Sequence, residues 1–176
     1  MKITSMMDLH VDVGVPTSAG LGPFGRRVIY PITGGNFAGV ERGGEFQGKP
    51  LKGQVLPTGS GDWVLITGEV SRLDIRLTLL TDDGWGIYMQ ASGVLVINDK
   101  VKQRLNDPDL ITDFGDTYFM THTRFETGEQ TIHAGMANPY AWMSDCLAVG
   151  QGKLGPSFPG FMAAQWIEAK SFLLEN

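Results

Sequence analysis

The segment Leu73–Met89 reads LDIRLTLL-TDDG-WGIYM, which is the pattern of two β-strands joined by a tight turn. Apolar and polar side chains alternate from Leu73 to Leu79, the period of two expected of a half-buried strand. Asp83-Gly84 marks the turn, because glycine readily adopts the positive φ that tight turns require. The segment therefore predicts an antiparallel hairpin.

The same kind of pattern recurs along the rest of the chain. The 24 glycines and 9 prolines fall between short stretches rich in Val, Ile, Leu, Thr and aromatic residues, which favours many strands joined by turns. In the last segment, Met162, Trp166, Ala169 and Leu173 also lie at helical spacing, and here we favour a strand. Further strands are expected within residues 8–13, 26–32, 62–66, 116–126, 140–149 and 161–173.

About eight antiparallel strands need their edges hidden, and closure into a barrel does this completely. We therefore predict an all-β fold: a single domain over residues 1–176, forming a closed or nearly closed barrel of the lipocalin or allene-oxide-cyclase kind. A barrel of this size holds side chains or one small ligand in its interior.

Composition excludes several classes of protein. A net charge of −5 disfavours a nucleic-acid partner. The single Cys146 excludes an internal disulfide and a multi-cysteine zinc site. No apolar run approaches the roughly 20 residues of a membrane helix, and the N-terminal residues lack the pattern of a secretory signal. We expect a cytoplasmic protein without a membrane partner.

A series of short motifs extends over nearly the whole chain. The motifs are ITGGNFAG (32–39), LKGQVLP (51–57), Asp62-Trp63, LDIRLTL (73–79), TDDG (81–84), Ile87-Tyr88, Tyr118-Phe119, RFET (124–127) and YAW (140–142). In this order they resemble the domain-of-unknown-function 3237 family, also called uncharacterised protein family 0311. The resemblance implies a small β-barrel and no particular activity.

Polar stripes on three predicted strands supply candidate catalytic residues. If these stripes face the lumen, a carboxylate beside an arginine could act as a general base, and a tyrosine could donate to a developing oxyanion. The alternative is an exterior ladder of cross-strand pairs, and alternation alone does not decide between the two. The candidates are Asp74, Arg76, Tyr88, Arg124 and Glu126.

Four further residues are candidates for binding a substrate. The indole of Trp63 could form a flat wall and Asp62 its polar anchor. The alternative, which is slightly favoured, is that Trp63 belongs to the core and Asp62 ends a turn. Trp142 could line an apolar pocket, and His122 is a candidate acid or base if its strand face is the lumen.

Neither a metal nor a nucleotide cofactor is expected. His10, His122 and His133 have no ligand-like spacing. The glycine-rich segment 59–61 lacks the lysine and following helix of a phosphate-binding loop.

Three functions agree with these observations. The first is a cofactor-independent enzyme, of isomerase, lyase or cyclase type, acting on a small aromatic or polyketide-like molecule in the lumen. The second is a non-catalytic binding barrel. The third is a structural module that forms a homodimer through its exterior stripes and has a filled interior.

Overall fold

The computed structural model describes residues 2–40, 45–46, 48–128, 136–159 and 162–175, with the backbone alone at 45, 46 and 49. In this part of the chain the strands are β1 (Lys2–Val13), β2 (Thr17–Gly22), β3 (Gly25–Gly39), β4 (Glu45–Phe46), β5 (Lys49–Pro50), β6 (Lys52–Thr67), β7 (Val70–Thr81), β8 (Gly86–Val96), β9 (Phe119–Thr127), β10 (Leu147–Leu154) and β11 (Trp166–Glu175). One short helix, α1 (Asp99–Gln103), and a 3-10 helix (Ala141–Asp145) complete the described elements.

Eight strands close into an antiparallel barrel. Their order is β1-β11-β10-β9-β8-β7-β6-β3, and β3 pairs back onto β1. β2 pairs with the first part of β3 outside this ring, and β4 and β5 form a separate two-stranded ribbon. The predicted fold class, a closed antiparallel barrel of about eight strands, is confirmed.

The hairpin predicted from the sequence is formed by β7 and β8. Leu77 lies opposite Met89, so the alternation of the two strands is in register. Gly84 has φ +90°, as the turn chemistry requires. The hydroxyl of Thr81 accepts a hydrogen bond from the backbone N–H of Trp85 at 2.8 Å, which secures the turn.

The apolar stripe of each strand faces the lumen. Most of the interior is occupied by side chains that are at most a few per cent exposed. Packing is tight enough that a Cβ at Gly152 would lie 2.6 Å from the ring of Phe119, so only glycine fits there. The central core contains Leu9, Val11, Phe37, Val55, Leu77, Leu79, Ile87, Met89, Phe125 and Leu173.

The C-terminal segment is a strand, as favoured from the sequence, although Phe161 at its predicted start lies outside the described residues. The prediction of a strand over residues 140–149 is wrong in its first part, because residues 141–145 form the 3-10 helix. Tyr140 precedes that helix and is buried, and its hydroxyl donates to the carbonyl of Pro50 at 2.8 Å. This bond holds the segment against the barrel.

A second set of contacts closes the barrel end next to α1. Asn98 caps this helix by accepting from the N–H of Val101 at 3.1 Å. The fully buried Arg104 donates to the backbone carbonyls of Leu110, Met162 and Gly155. One guanidinium group thus ties together three segments that cover this end of the lumen.

Candidate functional site

The five residues proposed as catalytic lie on the outer surface of the barrel. Arg76 and Asp74 form an exposed ion pair with an N–O distance of 3.2 Å. Arg124 and Glu126 are both exposed, and the Arg124 guanidinium donates to the side-chain oxygen of Gln90 at 2.6 Å. Tyr88 lies on the outward face of β8. The expectation that this set lines the lumen is wrong. The physical reason is that a closed barrel gains more by burying the apolar stripe of each strand than by burying its charges.

Two of the four proposed substrate-binding residues also face outward. Trp63 is half-buried on the outer face of β6, where the Arg76 guanidinium lies 5.4 Å from its ring centroid. His122 is exposed on β9. Trp142 lies on the 3-10 helix, where it packs against the central core.

Asp62 differs from these residues because its side chain points into the lumen. Its neighbour on the same face of β6, Val64, belongs to the buried core beside α1. Asp62 is only 7% exposed. It is the one residue of the predicted site that the structure places on the wall of an internal cavity.

A bulge in β6 precedes Asp62 and accounts for its position. The register between β6 and β7 shifts between Leu56 and Gly61, and side chains replace the missing ladder bonds. Ser60 accepts from the N–H of Thr78 at 2.9 Å. Asp62 accepts from the N–H of Asp74 at 3.0 Å. The bulge thus explains how a carboxylate is accommodated in an apolar wall.

Burial dominates the electrostatics of Asp62. Loss of hydration, aided by the charge of Asp74, raises the pKa of this carboxyl to about 7, against the opposing effects of the Asp74 N–H and the charge of Arg27. Among the described residues Asp62 forms no ion pair and accepts no other hydrogen bond. The group is therefore poised to gain or lose a proton near neutral pH.

Two small cavities adjoin Asp62. The lower one, of about 80 Å³, lies towards α1 and is also lined by Tyr30, Ser71 and Ala164. The upper one, of about 50 Å³, lies between Leu77 and Ala169. The residues common to both linings are Ile32, Asp62, Phe119 and Ile167. Asp62 therefore faces both spaces.

Tyr30 is a site residue that the sequence analysis missed. It lies directly opposite Asp62 in the pairing of β3 with β6. Burial, followed by the charge of Asp62, raises the pKa of its phenol to about 12. In the sequence, Tyr30 alternates in step with Val28 and Ile32, which places it on the same strand face as these apolar residues. Its proximity to Asp62, however, follows only from the register between β3 and β6.

Metal-binding and thiol chemistry find little support in this geometry. Across the described ranges, no three His, Cys, Asp or Glu side chains come together as metal ligands, and His133 lies outside those ranges. Cys146 is half-buried, and burial raises the pKa of its thiol, which disfavours the thiolate. No helix in the described part of the chain is long and apolar enough to cross a membrane.

Comparisons with known proteins place the chain in a family. A UPF0311 protein of Rhodopseudomonas palustris (strain TIE-1) is 32% identical over 143 residues, which are 78% of each chain. The crystal structure of the conserved protein of unknown function RPA1785 from Rhodopseudomonas palustris is similar, with a TM-score of 0.75, 25% identity and coverage of 98% of this chain and 96% of that one. An enzyme from Penicillium herquei is 14% identical, with a TM-score of 0.58 over 97% of this chain and 93% of that one, and this shows the fold alone. The profile described as "Protein of unknown function (DUF3237)" matches residues 1–167, and the chain belongs to that family.

Proposed function

We propose that this protein is an enzyme that transfers protons, without a cofactor, on a small and largely apolar molecule bound in the barrel lumen. Asp62 is the general acid or base. The observation that carries the proposal is a buried carboxyl on the wall of an apolar cavity, with burial holding its pKa at about 7. A group with a pKa near the working pH is effective in general acid–base catalysis.

The size of the lumen limits the substrate. A cavity of about 150 Å³ holds benzene, whereas the two cavities here have about 80 and 50 Å³. Even joined, the two spaces are slightly smaller than that, so the lumen accepts at most a single-ring compound, which spans both spaces and lies beside Asp62. The aromatic and polyketide-like class expected from the sequence is thus narrowed to its smallest members.

The proposal is tested by incubating the protein with a panel of single-ring compounds at pH 7 and monitoring their conversion by NMR. We expect Asp62→Asn to lower the rate by about 10²- to 10⁴-fold, while the exposed-site control Asp109→Asn leaves it unchanged. Equal rates in the wild type and Asp62→Asn would refute the role of Asp62.

A non-catalytic binding barrel is the second candidate. It is favoured by the lining of the lower cavity, where the side chains other than Tyr30, Asp62 and Ser71 are apolar. If a single-ring compound binds without being converted, and its affinity is the same for the wild type and Asp62→Asn, this candidate is favoured over the enzyme.

A further inference from the structure

The lumen contains a pair of polar side chains. Tyr30 and Asp62 are direct cross-strand partners, and directly opposed residues on one sheet face have Cβ atoms about 4.5–5.5 Å apart. Both line the lower cavity. A ligand in that cavity therefore meets a phenol and a carboxyl side by side.

Both members of the pair retain hydrogen-bonding capacity. One carboxylate oxygen of Asp62 accepts from the backbone of Asp74, which leaves the other oxygen available. The Tyr30 hydroxyl has no hydrogen-bond partner within the described part of the chain. Both groups line the lower cavity, so a molecule bound there can engage the two together.

From this geometry we infer that the substrate is an enolisable carbonyl compound. Asp62 removes a proton from the carbon next to the carbonyl group, and the Tyr30 hydroxyl donates a hydrogen bond to the carbonyl oxygen. The inference rests on the proposed function and adds the substrate class and the role of Tyr30.

The proton-transfer step is balanced without another reactant. The ionised Asp62 carboxylate forms an O–H bond with the abstracted hydrogen. The electron pair of the broken C–H bond forms the C=C bond of the enolate, and the carbonyl π pair moves to the oxygen. When the proton held by Asp62 is replaced by one from solvent and the enolate is reprotonated at the same carbon, the result is hydrogen exchange. When the enolate is conjugated with a further C=C bond, delivery of the proton from Asp62 to the far end of the conjugated system gives an isomer.

Tyr30 is suited to the donor role for two reasons. Burial raises the pKa of its phenol to about 12, so it keeps its proton at neutral pH. A hydrogen-bond donor that is already in position before the reaction stabilises the oxyanion without having to move. Such preorganised donors raise the rate by about 10²- to 10³-fold. A carbonyl compound is also neutral, whereas an anionic substrate would be repelled by the ionised Asp62 that the step requires.

The test follows deuterium exchange into cyclopentanone by NMR in D₂O near neutral pH. Four proteins are compared: wild type, Asp62→Asn, Tyr30→Phe and Tyr118→Phe, the last changing an exposed tyrosine. We expect exchange to be lost in Asp62→Asn, lowered about 10²-fold in Tyr30→Phe mainly through kcat, and unchanged in Tyr118→Phe. The carbon shift of the bound carbonyl should move upfield in Tyr30→Phe alone, which a merely structural role would not produce.

The outcomes separate this inference from the proposed function. Exchange that requires Asp62 but is unaffected by Tyr30→Phe would overturn the role of Tyr30 and leave the proposed function standing. Absence of exchange by the wild type, with or without binding of cyclopentanone, would overturn the substrate class. The proposed function would then be judged by the panel of single-ring compounds. Thermal unfolding of each variant verifies that it is folded.

Discussion

Replacement of Asp62 by asparagine should change how the stability of the protein depends on pH. Burial raises the pKa of Asp62 from 3.8 to about 7 in the folded state, so the folded protein binds this proton more tightly than the unfolded chain does. The resulting stabilisation is complete below about pH 4 and is lost as the pH rises to about 7. At about 1.4 kcal/mol per pKa unit, the loss is about 4 kcal/mol, a large share of a typical stability of about 5–15 kcal/mol.

The assay is urea denaturation of the wild type and Asp62→Asn at intervals from pH 4 to pH 8. The difference in the free energy of unfolding, wild type minus variant, should fall by about 4 kcal/mol over this range and then stay constant, because asparagine does not ionise. Asp109→Asn, at an exposed position, should give a far smaller change. A difference between wild type and Asp62→Asn that is independent of pH would refute the assigned environment of Asp62.

Three further predictions concern stability and are measured by the same denaturation. Leu77→Ala should lower the free energy of unfolding by about 2–5 kcal/mol, because Leu77 is fully buried beside the upper cavity. The control Leu147→Ala, at a position that is 51% exposed, should lower it little. Equal losses in the two variants would contradict the inward direction of Leu77 on β7. Arg104→Met should cost more than about 3 kcal/mol, because three backbone carbonyls lose their donor, and a smaller loss would show that the guanidinium does not hold the barrel end closed. A double-mutant cycle of Asp74→Ala and Arg76→Ala should give a coupling close to zero, as is typical of exposed ion pairs. A coupling as large as that of a buried pair would place Asp74 and Arg76 in the interior.

The fold could be predicted because the signals that determine it are local. The alternation from Leu73 to Leu79 and the Asp-Gly turn are patterns that extend over only a few residues. The structure contains the hairpin that they predict, formed by β7 and β8. The prediction for 140–149 is wrong in its first part because the apolar residues there also fit a strand pattern, whereas 147–149 do lie in β10. In the structure, Tyr140 packs against the barrel just before a 3-10 helix, and Met143 packs against it from within that helix.

The site was harder to predict because alternation does not say which face is inside. Asp74 and Arg76 looked catalytic as a pair of opposite charges, yet burying them would have cost more than leaving them in water. Asp62 was identified as a candidate, but its inward direction depends on the bulge between Leu56 and Gly61. Tyr30 enters the site only through its register with Asp62, a pairing between separate strands that no local pattern reveals.

The closure of β1 onto β11 also has a consequence for how this protein folds. Thr4 on β1 and Glu175 on β11 are joined by a hydrogen bond of 2.9 Å although they are 171 positions apart in sequence. Contacts between such distant positions slow folding, because the entropy of a long loop is lost before the contact forms. Until β11 docks, β1 and β10 each present an unpaired edge, the kind of surface that recruits strands from other chains. The strand β11, which follows all other strands of the barrel along the chain, is therefore the one that protects these two edges from aggregation.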